Sequence, residues 1–323
     1  MNKPLNVLTI ATGKKLYVDM AVNLARSFWL WNAASGIDFY LATDQPQLLA
    51  EDVKHFLKVI PLEPGELGEG FSPKLHLDKL APAGQTLFID SDCLVYGNIE
   101  NIFVRFEGHN VSVVGGYIST GEWFGDVAAI CKKFNIKQLP KFNGGIYYLE
   151  NGEKAAAVYR LARQLETQYD EIGFVRLRER PNDEVIIALA MALNDEQPIA
   201  DDGTMMSDPL SCPGQYSTDV IKGTTSLYNP PKPSPLHQDW YPFEKVHPLI
   251  IHFLGHHSLN YQYKKDVNLL QAANTNKLGA WRRISATITI ELPERIKEAA
   301  KNLFRPVYKI IFGTRAVKRS ERL

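Results

Sequence analysis

The sequence predicts an α/β protein whose mixed, mostly parallel sheet is doubly wound, with helices on both faces. Short apolar runs, typical of buried strands, alternate with stretches whose apolar residues recur three and four positions apart. Alternating strands and helices are typical of parallel sheets, because each crossover connection is made by a helix. A chain of 323 residues, 45% of them hydrophobic and 22% charged, is also large enough to bury a sizeable core.

Local patterns define the predicted elements in chain order. Apolar runs bounded by turn residues predict strands at residues 6–11, 39–42, 59–62, 86–90, 111–114, 145–149 and 250–254. Apolar periodicity and capping residues predict helices at residues 17–31, 47–57, 72–80, 126–134, 153–169 and 183–193. Ser72 with Pro73 marks one helix start, and Asn182 is a candidate N-cap for another.

Charge and cysteine content exclude some classes of function. The formal net charge of zero gives no general attraction to nucleic acid, so we expect no nucleic-acid partner. The three cysteines show no paired spacing, which indicates a reducing compartment and no zinc knuckle. The apolar run at residues 5–11 is too short to span a membrane and lacks the cleavage pattern of a signal peptide. We therefore expect a cytoplasmic protein.

The candidate chemistry centres on Asp90 and Asp92, which form a D-x-D triplet at the end of the predicted strand 86–90. Ligands bind at the carboxyl ends of the strands in parallel α/β sheets, and this pair lies at such an end. Two fixed carboxylates are hard oxygen ligands for a divalent metal, which neutralises the charge of a departing nucleotide diphosphate. The alternative is that Asp90 merely ends a strand and Asp92 caps the next turn.

Four ordered segments resemble the signatures of glycosyltransferase family 8 and its relatives with the GT-A fold. They are SPKLHLDKLAPAGQTLFIDSDCLVYGNIENIF, KFNGGIYYLENG, PNDEVIIALAM and IIHFLGHH, and the resemblance covers roughly residues 4–260 in colinear pieces. It implies a GT-A (Rossmann-like) catalytic domain over residues 1–262, with a nucleotide-sugar half up to about residue 100 and an acceptor half over residues 101–262. Residues 263–323 would form a C-terminal helical extension, basic from residue 294.

Carried over by position, the resemblance implies a metal site and a donor site. Asp90, Asp92 and His252 would hold Mn²⁺ or Mg²⁺, and the donor would be a nucleotide diphosphate sugar, with a UDP-sugar expected. Lys74 stands where the family usually has arginine, and Gly255 would let the backbone approach the diphosphate closely. The remaining implied donor-binding residues are Thr12, Tyr17, Ser91, Asn143, Gly144 and Gly145.

Asp183 and Glu184 are the candidate catalytic residues, in the first turn of the predicted helix 183–193. Acids are favoured there by the helix dipole whatever the function. In the family this position carries aspartate followed by glutamine near the reacting sugar carbon. The carboxylate of Glu184 could stabilise an oxocarbenium-like state or attack it covalently, while Asp183 would hold sugar hydroxyls. The implied reaction moves a hexose to a glycan or lipid-linked acceptor, with retention of configuration.

Two departures from the family pattern keep other functions open. The histidine-glycine motif normally continues as lysine-proline-tryptophan, but residues 258–260 read serine-leucine-asparagine. The acids that commonly read uracil after the first strand are replaced by the threonine-glycine-lysine-lysine of residues 12–15. A positive charge for the departing diphosphate would then come from one of three basic residues: His257, Lys264 or Lys265.

Two other classes of protein share parts of this pattern. A catalytically silent nucleotide-sugar-binding protein with the GT-A fold would explain the missing lysine motif. A phosphatase of the haloacid dehalogenase type also places D-x-D after an apolar strand. Such phosphatases carry threonine or valine where this chain has Leu94, and they usually place the motif near the chain start.

The C-terminal tail differs in character from the rest of the chain. Residues 294–323 hold nine basic and three acidic side chains, interleaved with apolar residues that include Phe304, Tyr308, Ile311 and Phe312. We expect this tail to lie on an anionic membrane surface, at the inner face of the plasma membrane. A bacterial surface-polysaccharide pathway would fit such a location. The alternative is a solvated helix packed against the body.

Overall fold

The computed structural model describes residues 3–313. The strands are β1 Leu5–Ala11, β2 Asp38–Thr43, β3 Leu57–Pro61, β4 Gln85–Ile89, β5 Cys93–Val95, β6 Val111–Ser112, β7 Val114–Ile118, β8 Leu139–Phe142, β9 Ile146–Glu150, β10 Ile199–Ala200, β11 Met206–Ser207, β12 Ser217–Asp219, β13 Thr224–Tyr228, β14 Lys245–Val246 and β15 Ile250–His252. The helices are α1 Lys15–Asn32, α2 Leu77–Leu80, α3 Glu100–Arg105, α4 Val127–Phe134, α5 Glu153–Thr167, α6 Tyr169–Ile172, α7 Asp183–Leu193, α8 Tyr261–Asn274, α9 Ala280–Ala286 and α10 Leu292–Phe312.

The main sheet has six strands in the order β3–β2–β1–β4–β9–β6. Strands β3, β2, β1 and β4 are parallel, whereas β9 runs antiparallel to both β4 and β6. Three smaller sheets have the orders β10–β7–β8, β11–β15–β5 and β12–β13–β14. The predicted mixed, mostly parallel sheet is therefore confirmed, and most of the strands after β4 form the smaller sheets.

Helices cover both faces of the main sheet. Side chains alternate along each strand, so neighbouring residues pack against helices on opposite faces. On β4, Leu87 and Ile89 pack in the same core as Phe28 of α1. Phe88, between them, packs in the other core with Ile186 of α7. A strand that is buried on both faces reads as a nearly continuous apolar run, which explains the apolar residues 87–89.

The smaller sheet β11–β15–β5 brings distant parts of the chain to the end of β4. Strand β5 begins directly after the D-x-D triplet and pairs antiparallel with β15, so that His252 lies opposite Cys93. Strand β11 pairs in parallel with the other side of β15. Residues separated by more than 150 positions in sequence therefore meet at the carboxyl edge of the main sheet.

Two predicted helix features are wrong. Residues 47–57 form two short 3-10 turns, Pro46–Leu48 and Glu51–Val53, instead of a helix. The side chain of Asp52 is held there by Arg26, whose Nε and Nη2 lie 2.8 Å from the two carboxylate oxygens. Ser72 also does not cap a helix, because a 3-10 turn precedes α2 and the Ser72 hydroxyl bonds the Glu166 carboxylate instead. The N-cap at Asn182 is confirmed.

The C-terminal part of the chain is helical. Helix α8 packs on α1, and α9 continues through a π-helical turn, Thr287–Glu291, directly into α10. Within residues 3–313, none of the helices combines the length and apolar character that a membrane span requires. The last part of the predicted basic tail, residues 314–323, lies outside the described residues, as do the side chains of residues 305–312. The domain division at residue 262 stays a prediction.

Candidate active site at the carboxyl edge of the sheet

The D-x-D segment is fixed by backbone hydrogen bonds to two other loops. The amide of Asp90 donates to the carbonyl of Gly145, just before β9, at 2.9 Å. The carbonyl of Asp92 accepts from the amide of Phe253, just after β15, at 3.0 Å. These bonds hold three segments of the chain together, so that their side chains converge on one region.

His252 meets both carboxylates of the triplet. Its Nε2 lies 3.0 Å from Oδ1 of Asp92 and 3.8 Å from Oδ2 of Asp90. The imidazole is almost fully buried, and burial on its own lowers the pKa of His252. The carboxylates of Asp92 and Asp90 together outweigh that effect and raise the pKa of His252 to about 9. The structure thus brings together the three residues to which the sequence assigned a metal.

Lys74 is the cation that joins this cluster to the helix α7. Its Nζ lies 2.7 Å from Oδ2 of Asp90 and 3.5 Å from Oδ2 of Asp183, and it donates to the carbonyl of Gly144 at 3.1 Å. Burial favours the neutral amine, but the charges of Asp183 and Asp90 outweigh burial and hold the pKa of Lys74 well above its usual range. The side chain is therefore a fixed positive charge between carboxylates, rather than a solvated helix lysine.

The two acids that begin α7 have different surroundings. The side chain of Asn182 accepts from the amide of Glu184 at 2.9 Å, which fixes the first turn of the helix. Asp183 is buried and accepts from the hydroxyl of Tyr147 at 2.5 Å. The same oxygen also faces Lys74, so Asp183 contacts both Tyr147 and Lys74. Its contact with sugar hydroxyls stays a prediction.

Glu184 lies at the glycine pair that precedes β9. Its Oε1 accepts from the amide of Gly144 at 2.7 Å. Burial, together with the negative charge of Asp183, raises the pKa of Glu184 to about 7. A Cβ at Gly144 would lie 3.1 Å from this carboxylate, so the close approach of Glu184 favours a residue without a side chain at that position. The carboxylate therefore changes its charge near neutral pH.

A chain of hydrogen bonds orients His252. The side-chain oxygen of Asn143 accepts from the Gly145 amide at 2.9 Å and lies 2.7 Å from Nδ1 of His252. The amide nitrogen of Asn143 donates to Oδ2 of Asp208 at 3.2 Å, and that carboxylate also accepts from the Ser211 hydroxyl. Since a carboxylate can only accept, the Asn143 oxygen faces His252, so Nδ1 carries a hydrogen and Nε2 points to the triplet.

Asp208 was not predicted from the sequence, which gave Asn143 only as an implied donor-binding residue. Asp208 directly follows the short apolar strand β11 and is buried, with its Oδ1 accepting from the amides of Leu210 and Ser211. The signal was present, because an acid that follows an apolar strand is the same pattern that singled out Asp90. Its strand has only two residues, which is too short for periodicity to reveal.

Cys93 is a further neighbour that the sequence reading did not consider. One ligand atom from each of Asp92, Cys93 and His252 lies within 4.8 Å of the others. The thiol of Cys93 lies 3.8 Å from the carbonyl of Gly145, and burial raises its pKa well above the usual range. A protonated thiol is a poor ligand. Two carboxylates and one imidazole form an oxygen-rich donor set, which fits Mn²⁺ or Mg²⁺.

The other predicted donor-site residues lie at segments around this edge. Thr12 follows β1 directly, and Tyr17 is half-buried in the first turn of α1. Ser91 is buried between the two aspartates, and its amide lies 3.1 Å from Oδ1 of Asp90. Gly255 has a φ of +60°, and a Cβ added there would meet no described atom within 4 Å. The left-handed backbone, and not crowding, is what favours glycine at this position.

An acid does lie next to the end of β1, and it comes from β2. The amide of Gly13 lies 3.1 Å from each carboxylate oxygen of Asp44. Asp44 follows Thr43, which is paired with Ala11 of β1. Because Asp44 follows the second strand in sequence, the residues directly after the first strand do not reveal it.

The three basic residues considered for the charge of the departing diphosphate differ in protonation, pairing and exposure. Burial and the neighbouring His256 lower the pKa of His257 to about 4, so His257 is neutral at pH 7. Lys265 is paired with Glu291. Lys264 is exposed in the first turn of α8 and is the candidate that remains.

Neither a protein-family model nor a curated protein sequence matches this chain, whereas solved structures do. The galactosyltransferase LgtC, crystallised with donor and acceptor sugar analogs, is 12% identical with a TM-score of 0.51, over 78% of this chain and 87% of that chain. The bifunctional glycosyltransferase WbbM is 11% identical with a TM-score of 0.54, over 88% of this chain and 52% of that chain. At these identities the likeness shows a shared fold, and the predicted GT-A architecture is confirmed.

We predict that Lys74→Met lowers the free energy of unfolding by about 3 kcal/mol, because it leaves the carboxylates of Asp90 and Asp183 buried without their cation. Urea denaturation followed by circular dichroism measures this loss. Lys79→Met is the matched control, since Lys79 is exposed and belongs to the adjacent helix α2. Equal stabilities of the two variants would mean that the ion pairs with Lys74 contribute nothing net.

Proposed function

We propose that this chain is a metal-dependent glycosyltransferase that moves a hexose from a UDP-sugar to a glycan or lipid-linked acceptor. The observation that carries the proposal is the convergence of Asp90, Asp92 and His252 at the carboxyl edge of the sheet. The fold shared with LgtC and WbbM supports it, as does the ordered resemblance of four segments to glycosyltransferase family 8. A role in polysaccharide assembly is consistent with this reaction.

The proposed metal ion, Mn²⁺ or Mg²⁺, would be held by Asp90, Asp92 and His252. When bound, it supplies positive charge for the diphosphate of the donor. The chain's own residues prepare this site: Asn143 turns Nε2 of His252 toward the carboxylates, and Lys74 compensates Asp90. Asp44 follows β2 and lies next to the end of β1. We assign it the recognition of the nucleobase, in place of the acids that are missing after the first strand.

Glu184 is the proposed catalytic carboxylate. Its Oε1 accepts from the Gly144 amide. The family that the four segments resemble carries glutamine at this position. We therefore assign Glu184 the stabilisation of a positively charged sugar in the transition state, with retention of configuration, rather than covalent attack. We also assign Lys264, which is exposed on α8, the role of supplying positive charge to the departing diphosphate.

We expect Asp92→Asn to abolish the release of nucleoside diphosphate when the protein is incubated with a panel of nucleotide sugars and Mn²⁺. The substitution keeps the size of the side chain but removes the charge that faces the metal site. Asp239→Asn is the matched control, because Asp239 lies in an exposed loop and pairs there with Lys232 and His237. Released diphosphate is quantified by chromatography.

Other outcomes of this assay identify the competing functions. Binding of nucleotide sugars by calorimetry, with no turnover across the panel, would identify a silent binding protein. Turnover of a generic aryl phosphate, with no need for a nucleotide sugar, would identify a phosphatase.

We expect Asp208→Asn to weaken the affinity for Mn²⁺ about 10- to 100-fold, the usual effect of losing a partner that orients a metal ligand. Asn143 then loses its fixed acceptor and holds His252 less firmly. Calorimetry of Mn²⁺ binding to the folded variant measures the effect, with Asp239→Asn as the control for charge. An unchanged affinity would remove Asp208 from the site.

We expect turnover to rise with pH through about 7, because the deprotonated form of Glu184 is the active one and its pKa lies there. Glu184→Gln should lower kcat about 100-fold, leave the KM for the donor nearly unchanged and abolish this rise. Initial rates between pH 5.5 and 8.5 test both points. Complete loss of turnover in Glu184→Gln would favour covalent attack, and an unchanged pH profile would show that another group titrates.

A further inference from the structure

The C-terminal helices leave a row of large apolar side chains in solvent. The chain is helical without interruption from Ala280 to Phe312, through α9, the π-helical turn and α10. Seven large apolar side chains on it are 48–82% exposed, and we call them the apolar stripe: Trp281, Ile284, Ile288, Leu292, Ile296, Leu303 and Phe304. Successive members from Trp281 to Leu303 are three, four or seven residues apart, which places them on one side of the helix.

The π-helical turn helps to keep the apolar stripe straight. A spacing of four residues drifts by about 40° per step around a regular α-helix with 3.6 residues per turn. Three such steps in a row lead from Ile284 to Ile296, and the π-helical turn, Thr287–Glu291, lies within them. Because a π-helical turn holds more residues per turn, it offsets the drift.

The side of the helix opposite the apolar stripe is attached to the body of the protein. Ala286 is buried, and Glu291 pairs with Lys265 of α8 and, at 2.9 Å, with Arg295. The guanidinium of Arg295 also lies 5.8 Å from the ring centre of Tyr261. The helix is therefore fixed with the apolar stripe facing away from the body, and the exposed residues are not an unfilled part of its core.

Positive charge accompanies the apolar stripe. Residues 280–323 contain eleven lysines and arginines and four acidic residues, in a chain whose formal net charge is zero. Arg282, Lys297 and Lys301 are exposed on the same helix, whereas Glu291 is turned toward α8. A second copy of this helix would bring like charges together, while an anionic surface complements both the charge and the apolar face.

We propose that the apolar stripe inserts into the interface of an anionic bilayer, with the helix lying in the membrane plane. Interfacial helices have this composition: an apolar face with tryptophan, leucine and isoleucine, and basic residues beside it. Trp281, the most exposed member at 82%, suits the headgroup region. The surface begins at Trp281, thirteen positions before the basic tail predicted from the sequence. It does not depend on the proposed transferase activity.

The test uses the full chain and vesicles of phosphatidylcholine with or without phosphatidylglycerol, in a sedimentation assay. We expect binding to the anionic vesicles only, and a loss of affinity of about tenfold or more in the double variant Ile284→Glu, Ile288→Glu. The matched control is Ser285→Glu, Thr289→Glu, which adds the same charge at exposed positions on the same helix beside the apolar stripe. Circular dichroism melts verify that both variants fold.

Three results would overturn the proposal. One is the absence of wild-type binding to anionic vesicles. A second is an equal loss in both double variants, which would attribute binding to charge alone. The third is a dimer in lipid-free sedimentation velocity that dissociates only in the Ile284→Glu, Ile288→Glu variant, which would make a second copy the occupant of the apolar stripe. None of these assays requires a sugar donor, so their failure is distinct from failure of the proposed function.

Discussion

The ammonium of Lys74 is the interaction on which the arrangement of this site depends. Asp90 and Asp183 come from different elements, and each is within 3.5 Å of the same Nζ. Without a cation between them, two carboxylates this close and this buried repel each other and lose their hydration. Desolvation by itself would neutralise Lys74, yet the two acids keep it charged. Lys74 in turn lowers the pKa of Asp90, but burial outweighs that attraction and the pKa stays above its usual value.

This cluster also ties the local geometry to the fold. Lys74 lies on the 3-10 turn before α2, Asp90 at the end of β4 and Asp183 in the first turn of α7. The same lysine donates to the carbonyl of Gly144, and the amide of Gly144 donates to Glu184. One glycine residue thus connects Lys74, the partner of Asp90 and Asp183, to the proposed catalytic carboxylate.

The sequence predicted those parts of the structure that local patterns specify. Strands β1 and β4 are largely apolar because both of their faces are buried, and Asp90 stands out because it ends such a run. His252 and Glu184 followed from ordered resemblance, not from periodicity. Asp208 was not predicted because β11, the strand before it, has only two residues. Asp44 and Cys93 were not predicted because their relevance arises from strand pairing: Gly13 contacts Asp44 across β1 and β2, and Cys93 lies opposite His252 across β5 and β15. Pairing over such distances leaves no periodic signal in the chain.

The balance of formal charge explains why a carboxylate-rich edge can suit an anionic donor. Asp90, Asp92, Asp183 and Glu184 carry four negative charges if all are ionised, and Lys74 with a protonated His252 returns two. This excess of negative charge would repel a diphosphate. The repulsion is stronger at a buried site than in water, because water no longer screens the charges. Under the proposed function, a divalent cation held by Asp90, Asp92 and His252 would supply the positive charge that offsets this repulsion. Because residues 258–260 lack the lysine-proline-tryptophan motif, the proposed donor would depend on that cation, together with Lys264, to balance the charge of its diphosphate.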